Sequence, residues 1–176
     1  MGRAIALALA ARGVRIVVTG RDEKALGETV GEVVHAGGKA RHLAGDPADP
    51  AHVQAAFDRA IEVFGGLDIV VASDISGVEC MLSAVARRER GPGRMIVAAC
   101  SGTADEALAK MLRAASTDLA ARGVAANAVL TDAALDDGPE HAAELVVFLC
   151  SRAGASVSGQ VIAVGSHPIR QAITNG

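Results

Sequence analysis

Aromatic residues are almost absent: the 176 residues contain three Phe, no Trp and no Tyr, 2% of the chain. That removes the stacking platforms on which single-stranded nucleic acids are held. A net charge of −3 supplies no basic field in their place, so nucleic acid is not an expected partner. Cysteine is also scarce. Cys80, Cys100 and Cys150 lie far apart, in apolar settings such as "VFLC" and "IVAAC", without the spacing of a zinc site or a redox pair. They are expected to be buried thiols of a reducing cytoplasm, and no metal is expected. No apolar run reaches the length of a membrane span. The opening "MGRAIALALAARG" imitates a weak signal peptide with its early Arg, short apolar run and A-x-A. It is read instead as an amphipathic helix ended by Gly13, because the strand-like "VRIVVTG" follows with no polar cleavage region.

Hydrophobic residues make up 51% of the chain and charged residues 21%, a balance too apolar for disorder and sufficient for one domain over residues 1–176. Helical stretches alternate with short apolar runs. "VRIVV" is β-branched and nearly continuous, as a strand buried on both faces should be. "DEKALGETVGEVVHAGG" sets Leu26, Val30 and Val33 at helical spacing and closes on a Gly pair. After "ARHLAGD", Asp49 as N-cap and Pro50 at the first helical position open a helix with Val53, Phe57, Ala60, Ile61 and Phe64 on one face. "LDIVVAS", "GRMIVAAC", "GVAANAVL" and "SGQVIAVG" are further strands. Helices are expected at "GVECMLSAVARRER", residues 103–122 and "PEHAAELVVFLCS". No linker, repeat or low-complexity tract interrupts them. Six strands alternating with helices imply a doubly wound α/β domain whose mostly parallel sheet is covered on both faces. Ligands in such sheets bind at the carboxyl edge.

Five blocks, "MGRAIALALAARGVRIVVTGRDEKAL", "HLAGDPADPAHVQAAFDRAIEVFGGLDIVVA", "GPGRMIVAACSG", "LAARGVAANAV" and "AAELVVFLCSRAGASVSGQVIAV", in this order resemble the short-chain dehydrogenase/reductase family. The resemblance implies a Rossmann fold, a nicotinamide cofactor and hydride transfer between it and a carbonyl or alcohol. The family's glycine-rich turn, T-G-x-x-x-G-x-G, lets the backbone approach the pyrophosphate at a helix N-terminus. Here Gly2 matches its last glycine and Met1 the residue before it, so the family's first strand has no counterpart in these residues; Met also suits that position within the family, as an internal methionine taken as a start would. Arg21 matches the position that selects NADP by clamping its 2′-phosphate. Asp46 matches the aspartate that accepts from the adenine amino group, but the next residue is Pro47, which has no N–H for the adjoining contact. Thr131 falls where the family holds the carboxamide, with a polar turn residue as the plainer reading, and the loop that would cover a substrate is missing.

The catalytic positions are altered in the same comparison. Ser101 matches the serine that hydrogen-bonds the substrate oxygen. Asp74 stands in the place of an Asn that supports the proton relay; when ionised it cannot donate, and a strand-end cap for the next helix is the plainer reading. Register from "ARG" puts Asp105 at the family's lysine, with Lys110 five residues on and rotated by about 140° around the helix. The tyrosine that the resemblance places between Ser101 and the lysine position is absent, and with it the general acid/base whose pKa the lysine lowers. "TADE" reads as a capping box formed by Thr103 and Glu106, and His167 as a surface residue of the C-terminal tail.

Two functions follow. One is a degenerate relative without the family's activity, binding NADP weakly or not at all; the other is an active NADP-dependent oxidoreductase with a rebuilt site around Ser101 and Asp74. Two structural expectations accompany them. "VRIVV" should pair directly with "LDIVV", closing the place of the missing strand in one six-stranded sheet, because a central gap would leave backbone groups unpaired. Met81, Leu82, Val85, Leu108, Met111 and Leu112 should offer apolar surface for a homodimer.

Overall fold

The computed structural model describes residues 1–73, 77–88, 93–101, 105–132 and 136–165. Asp74, Thr103 and His167 lie outside the described residues, as do the side chains of Ser101, Asp105 and Glu106. Among the described residues six helices and six strands alternate in order: α1 (Gly2–Ala10), β1 (Ile16–Gly20), α2 (Glu23–His35), β2 (Ala40–Ala44), α3 (Pro50–Phe64), β3 (Ile69–Ala72), α4 (Val78–Ala86), β4 (Arg94–Ser101), α5 (Asp105–Ala121), β5 (Ala125–Asp132), α6 (Gly138–Cys150) and β6 (Val161–Val164). Local chemistry sets several of these limits. The Asp49 carboxylate accepts from the Ala51 N–H ahead of Pro50, and α3 ends on Gly65 at φ 81°, where a residue without Cβ pays no penalty. Asp22 caps α2 by accepting from the Ala25 N–H.

All strand pairs are parallel, and they form two sheets rather than one: β1 with β2, and β3-β4-β5-β6. The expected pairing of "VRIVV" with "LDIVV" is therefore wrong; β1 and β3 flank a gap. The helical layers explain why it stays open. On one face Ile5, Ala6 and Leu9 of α1 pack in a single cluster with Ile16 and Ala40 of the small sheet, Ile96 and Val129 of the large one, and Leu149 of α6. On the other, Val53 and Phe57 of α3 join Val70, Met95, Val97 and Leu112. Each layer bridges both sheets or braces one against its neighbours. Sliding β1 onto β3 would part the α1 side chains from those of both sheets, at the cost of their packing.

Alternation along the strands is as a doubly covered sheet requires. Met95 and Val97 point into the α3/α4/α5 layer and Ile96 into the α1/α6 layer; Ala126, Ala128 and Leu130 divide from Val129 in the same way. The gap also accounts for helical positions that bury less than their periodicity suggests. Leu26 of α2 and Phe64 of α3 are only partly covered because both line the cavity between the sheets. The surface expected to carry a homodimer is largely used up inside the chain: Met81, Leu82, Val85, Leu108 and Leu112 are buried in its own core, and Met111 packs against them. They face the sheet, so the argument for dimerisation drawn from them is withdrawn.

No helix among the described residues is long and apolar enough to cross a membrane. Cys80 and Cys150 are unbridged and half-buried rather than fully buried. Burial pushes the Cys150 thiol up to about 11, which leaves little thiolate at neutral pH. Iodoacetamide at pH 8 is expected to leave Cys150 largely unmodified in the folded chain and to alkylate it on unfolding, as peptide mass spectrometry would register.

Candidate functional site

The carboxyl ends of β1, β2 and β3 converge with the start of α1 at one end of the gap. Gly2 opens α1 so close to the residue after β3 that a Cβ on it would stand 2.9 Å from the Ser73 hydroxyl. The N–H groups of a first helical turn have no intrahelical partners, and both Gly2 and Arg3 border the cavity. Met1 packs against the α1/α6 cluster, and its carbonyl accepts from the Ile5 N–H.

Arg21, one residue past β1, and Asp46, two past β2, come together: Arg21 Nε lies 3.4 Å from Asp46 Oδ1. Both side chains are more than half exposed, and such a pair contributes little to stability. The same Asp46 oxygen accepts from the Ala48 N–H at 3.0 Å. That backbone hydrogen bond is the largest effect and holds the Asp46 carboxyl below its ordinary 3.8 against desolvation, with the Arg21 charge a lesser contribution in the same direction. Asp46 is therefore already committed as an acceptor within its own turn, beside a proline that cannot donate.

Because the folded midpoint lies below the ordinary value, the stabilisation linked to Asp46 is present above the ordinary range. It is lost as the pH falls through the folded midpoint. In an NMR titration the Asp46 carboxyl is expected to protonate below 3.8. Arg21→Ala should raise that midpoint only part of the way, since the Ala48 N–H remains.

A second polar cluster at this edge has no counterpart in the sequence analysis. The Thr19 hydroxyl donates to the Leu43 carbonyl at 2.8 Å and lies 2.5 Å from His52 Nε2. A hydroxyl has one hydrogen, so with that hydrogen given to the Leu43 carbonyl the Thr19 oxygen is left to accept from His52 Nε2. The ring lies over Gly45, where a Cβ would come within 2.1 Å of Nδ1. Any larger residue at 45 would displace His52. Neither Thr19 nor His52 carried a motif; they meet because β1, the β2 turn and the first turn of α3 end at the same place.

The remaining candidates lie elsewhere or lie outside description. Thr131 is not a turn residue: β5 continues past "GVAANAVL" to Asp132, Thr131 is buried, and its hydroxyl has no hydrogen-bond partner among the described residues. Ser101 ends β4 opposite Asp132 of β5, while its side chain and the whole of Asp74 are outside the described residues. Lys110 is exposed on α5. Among the described residues no group of three His, Cys, Asp or Glu side chains converges as a metal site would require.

Residues 1–79 match the family model described as Enoyl-(Acyl carrier protein) reductase. A curated relative, the short-chain reductase protein NovJ of Streptomyces niveus, is 39% identical over 71 residues; this match covers 40% of the chain and 27% of that protein's length. A short chain dehydrogenase from Mycobacterium avium superposes with a TM-score of 0.80 at 24% identity, over 93% of this chain and 78% of that one. A 7α-hydroxysteroid dehydrogenase solved with NADH and 7-oxo glycochenodeoxycholic acid superposes with a TM-score of 0.81 at 21% identity, over 93% and 88%. At these identities the solved structures establish the fold.

Proposed function

We propose that the chain, whose residues 1–79 match a reductase family model and whose similarity to a short-chain reductase spans 71 residues, is a short-chain dehydrogenase/reductase without the family's hydride-transfer activity, keeping at most a weak contact to NADP. The absence of any tyrosine from the sequence carries this reading. A nicotinamide supplies a hydride, but a proton must reach the carbonyl oxygen from the protein. The register leaves an aspartate, Asp105, where the lysine should stand, and Lys110 is displaced around the helix.

The cofactor positions point the same way. Arg21 and Asp46 are side by side, which suits the adenosine end of a dinucleotide and, through the guanidinium, a 2′-phosphate. Pro47 removes the adjoining backbone donor. Thr131, buried within β5, is poorly placed to hold a carboxamide. The residues present therefore fit part of a dinucleotide and not the whole.

Titration of the purified chain with NADPH and NADH is expected to give weak binding that favours NADPH, with Arg21→Ala abolishing the preference. Across simple ketones and alcohols the rate should fall below that of an intact site by at least the ~10²–10⁴-fold that acid/base catalysis supplies, and Ser101→Ala should change nothing measurable. NADPH oxidation at ordinary enzymatic rates, abolished by Ser101→Ala, would establish instead an active enzyme with a rebuilt site around Ser101 and Asp74.

A further inference from the structure

Gly45, between the end of β2 and Asp46, has no left-handed backbone angle; the glycines with positive φ among the described residues are Gly13, Gly37, Gly65, Gly123 and Gly159. Its backbone therefore does not call for glycine. The space above it does. A Cβ there would stand 2.1 Å from Nδ1, 2.4 Å from Cε1 and 2.6 Å from Cγ of His52, its three nearest atoms. The imidazole occupies the volume that a side chain at 45 would take.

The ring is tied down at its other nitrogen. Val18 packs into the α1/α6 layer, so Thr19, the next residue of β1, faces the opposite side, where α3 begins. Its hydroxyl donates to the Leu43 carbonyl and accepts from His52 Nε2. One imidazole thus connects the end of β1, the end of β2 and the first turn of α3. Beside it the Gly45 N–H donates to the Gly20 carbonyl at 2.8 Å. From the other side α4 closes on the same turn. A Cβ on Gly77 would stand 2.7 Å from the Pro47 carbonyl oxygen, and the Cys80 thiol donates to the Ala48 carbonyl at 3.2 Å. Asp46 therefore sits in a turn clamped between α4 and His52, and the His52 side is the one that reaches the strand leading into Arg21.

We propose that Thr19 and His52 are positioning residues: by seating the ring on Gly45 they hold Asp46 beside Arg21, and so set the preference of this edge for a dinucleotide bearing a 2′-phosphate over one with a free 2′-hydroxyl. The proposal rests on the reading of Arg21 given above as the contact to that phosphate. Asp46 engages the guanidinium at Nε, which fixes the plane of its terminal N–H groups and hence the direction from which that fork meets a phosphate. An exposed pair of this kind contributes little order by itself, because two long side chains must be held in one geometry. The order comes from the turn beneath them.

The test reads two quantities on the full chain: the Asp46 carboxyl midpoint by carbon-13 NMR without nucleotide, and the ratio of the NADH to the NADPH dissociation constant. Thr19→Val keeps the side-chain shape and removes both hydrogen bonds. It is expected to raise the Asp46 midpoint and to lower the ratio by about fivefold or more, the scale of one hydrogen bond. Thr19→Ser keeps the hydroxyl and should retain wild-type values of both. Gly45→Ala leaves Thr19 and His52 in the sequence and displaces only the ring, so it should reproduce both shifts. Adding His52→Ala to Gly45→Ala should recover thermal stability but not the ratio. A role confined to stability would move the melting temperature and leave midpoint and ratio at wild-type values in the folded variants, which would overturn the proposal. Unchanged values in Gly45→Ala would do the same if Thr19→Val fails to fold. Should the wild-type chain bind neither nucleotide, the NADP contact proposed above fails and the selectivity with it; the Asp46 midpoint then still decides whether Thr19 and His52 position the pair.

Discussion

Leu149→Ala is expected to remove about 2–5 kcal/mol from the unfolding free energy, the cost of truncating a large core side chain that its neighbours cannot fully replace. Leu149 is fully buried in α6. It belongs to the cluster in which α1 and α6 meet residues of both sheets, so the loss falls on the contacts that hold the two sheets together. Its neighbour supplies the control. Phe148 is 45% exposed on the same turn, and Phe148→Ala should stay within about 0.5–1 kcal/mol, close to the usual range for surface substitutions. Urea denaturation followed by circular dichroism distinguishes the two. Equal destabilisation by both variants would mean that the α6 layer is not packed as described. Domains of ordinary stability retain only about 5–15 kcal/mol, so Leu149→Ala should also populate unfolded chain at 37 °C.

Asn127→Ala is expected to cost about 2–4 kcal/mol for a different reason, the stranding of polar groups. Asn127 is buried in β5 among apolar neighbours. Its side-chain amide donates to the Val157 carbonyl at 2.8 Å and its oxygen accepts from the Gln160 N–H at 3.1 Å. Nearby, the Ala126 N–H donates to the Ser158 hydroxyl. The loop between α6 and β6 is thus held to the sheet in part by one side chain that supplies both a donor and an acceptor, beside backbone bonds from the Gly159 N–H to the Ala126 carbonyl and from the Ala128 N–H to the Gln160 carbonyl. Removing it leaves a carbonyl and an N–H to find new partners in a partly buried place. Asn127→Asp keeps the acceptor for Gln160 but turns the other oxygen toward the Val157 carbonyl, and should be no better tolerated at neutral pH. Both changes should speed amide exchange at 157–161 before any other segment. Protection there that survives Asn127→Ala would assign the loop's anchorage to other contacts.

The elements themselves were legible because their signals are local. Asp49 and Pro50 start α3 where the cap chemistry places it, Gly65 ends it, and the β-branched runs became strands. Arg21 and Asp46 were singled out separately, each from its place after a strand; that they form a pair follows from β1 and β2 ending at the same level. Thr131 was misjudged by two residues of strand length, enough to turn a presumed turn residue into a buried one. Met81, Leu82 and Leu112 show a further limit. Their helical spacing announced an apolar face but not whether it would meet the sheet or a second molecule.

By itself, the sequence determined which segments become helix or strand and that the strands run parallel beneath two layers of helices, and it contains no tyrosine. Each of these depends on residue type or on spacing within a few turns of chain. Tertiary structure alone decided that the sheet divides between β1 and β3, because that outcome rests on how α1, α3 and α6 pack across elements far apart in sequence. It likewise brought His52 onto Thr19 and left a cavity with two parallel backbone edges. Backbone pairing favours closing such a gap, but the close-packed helices on either face hold it open.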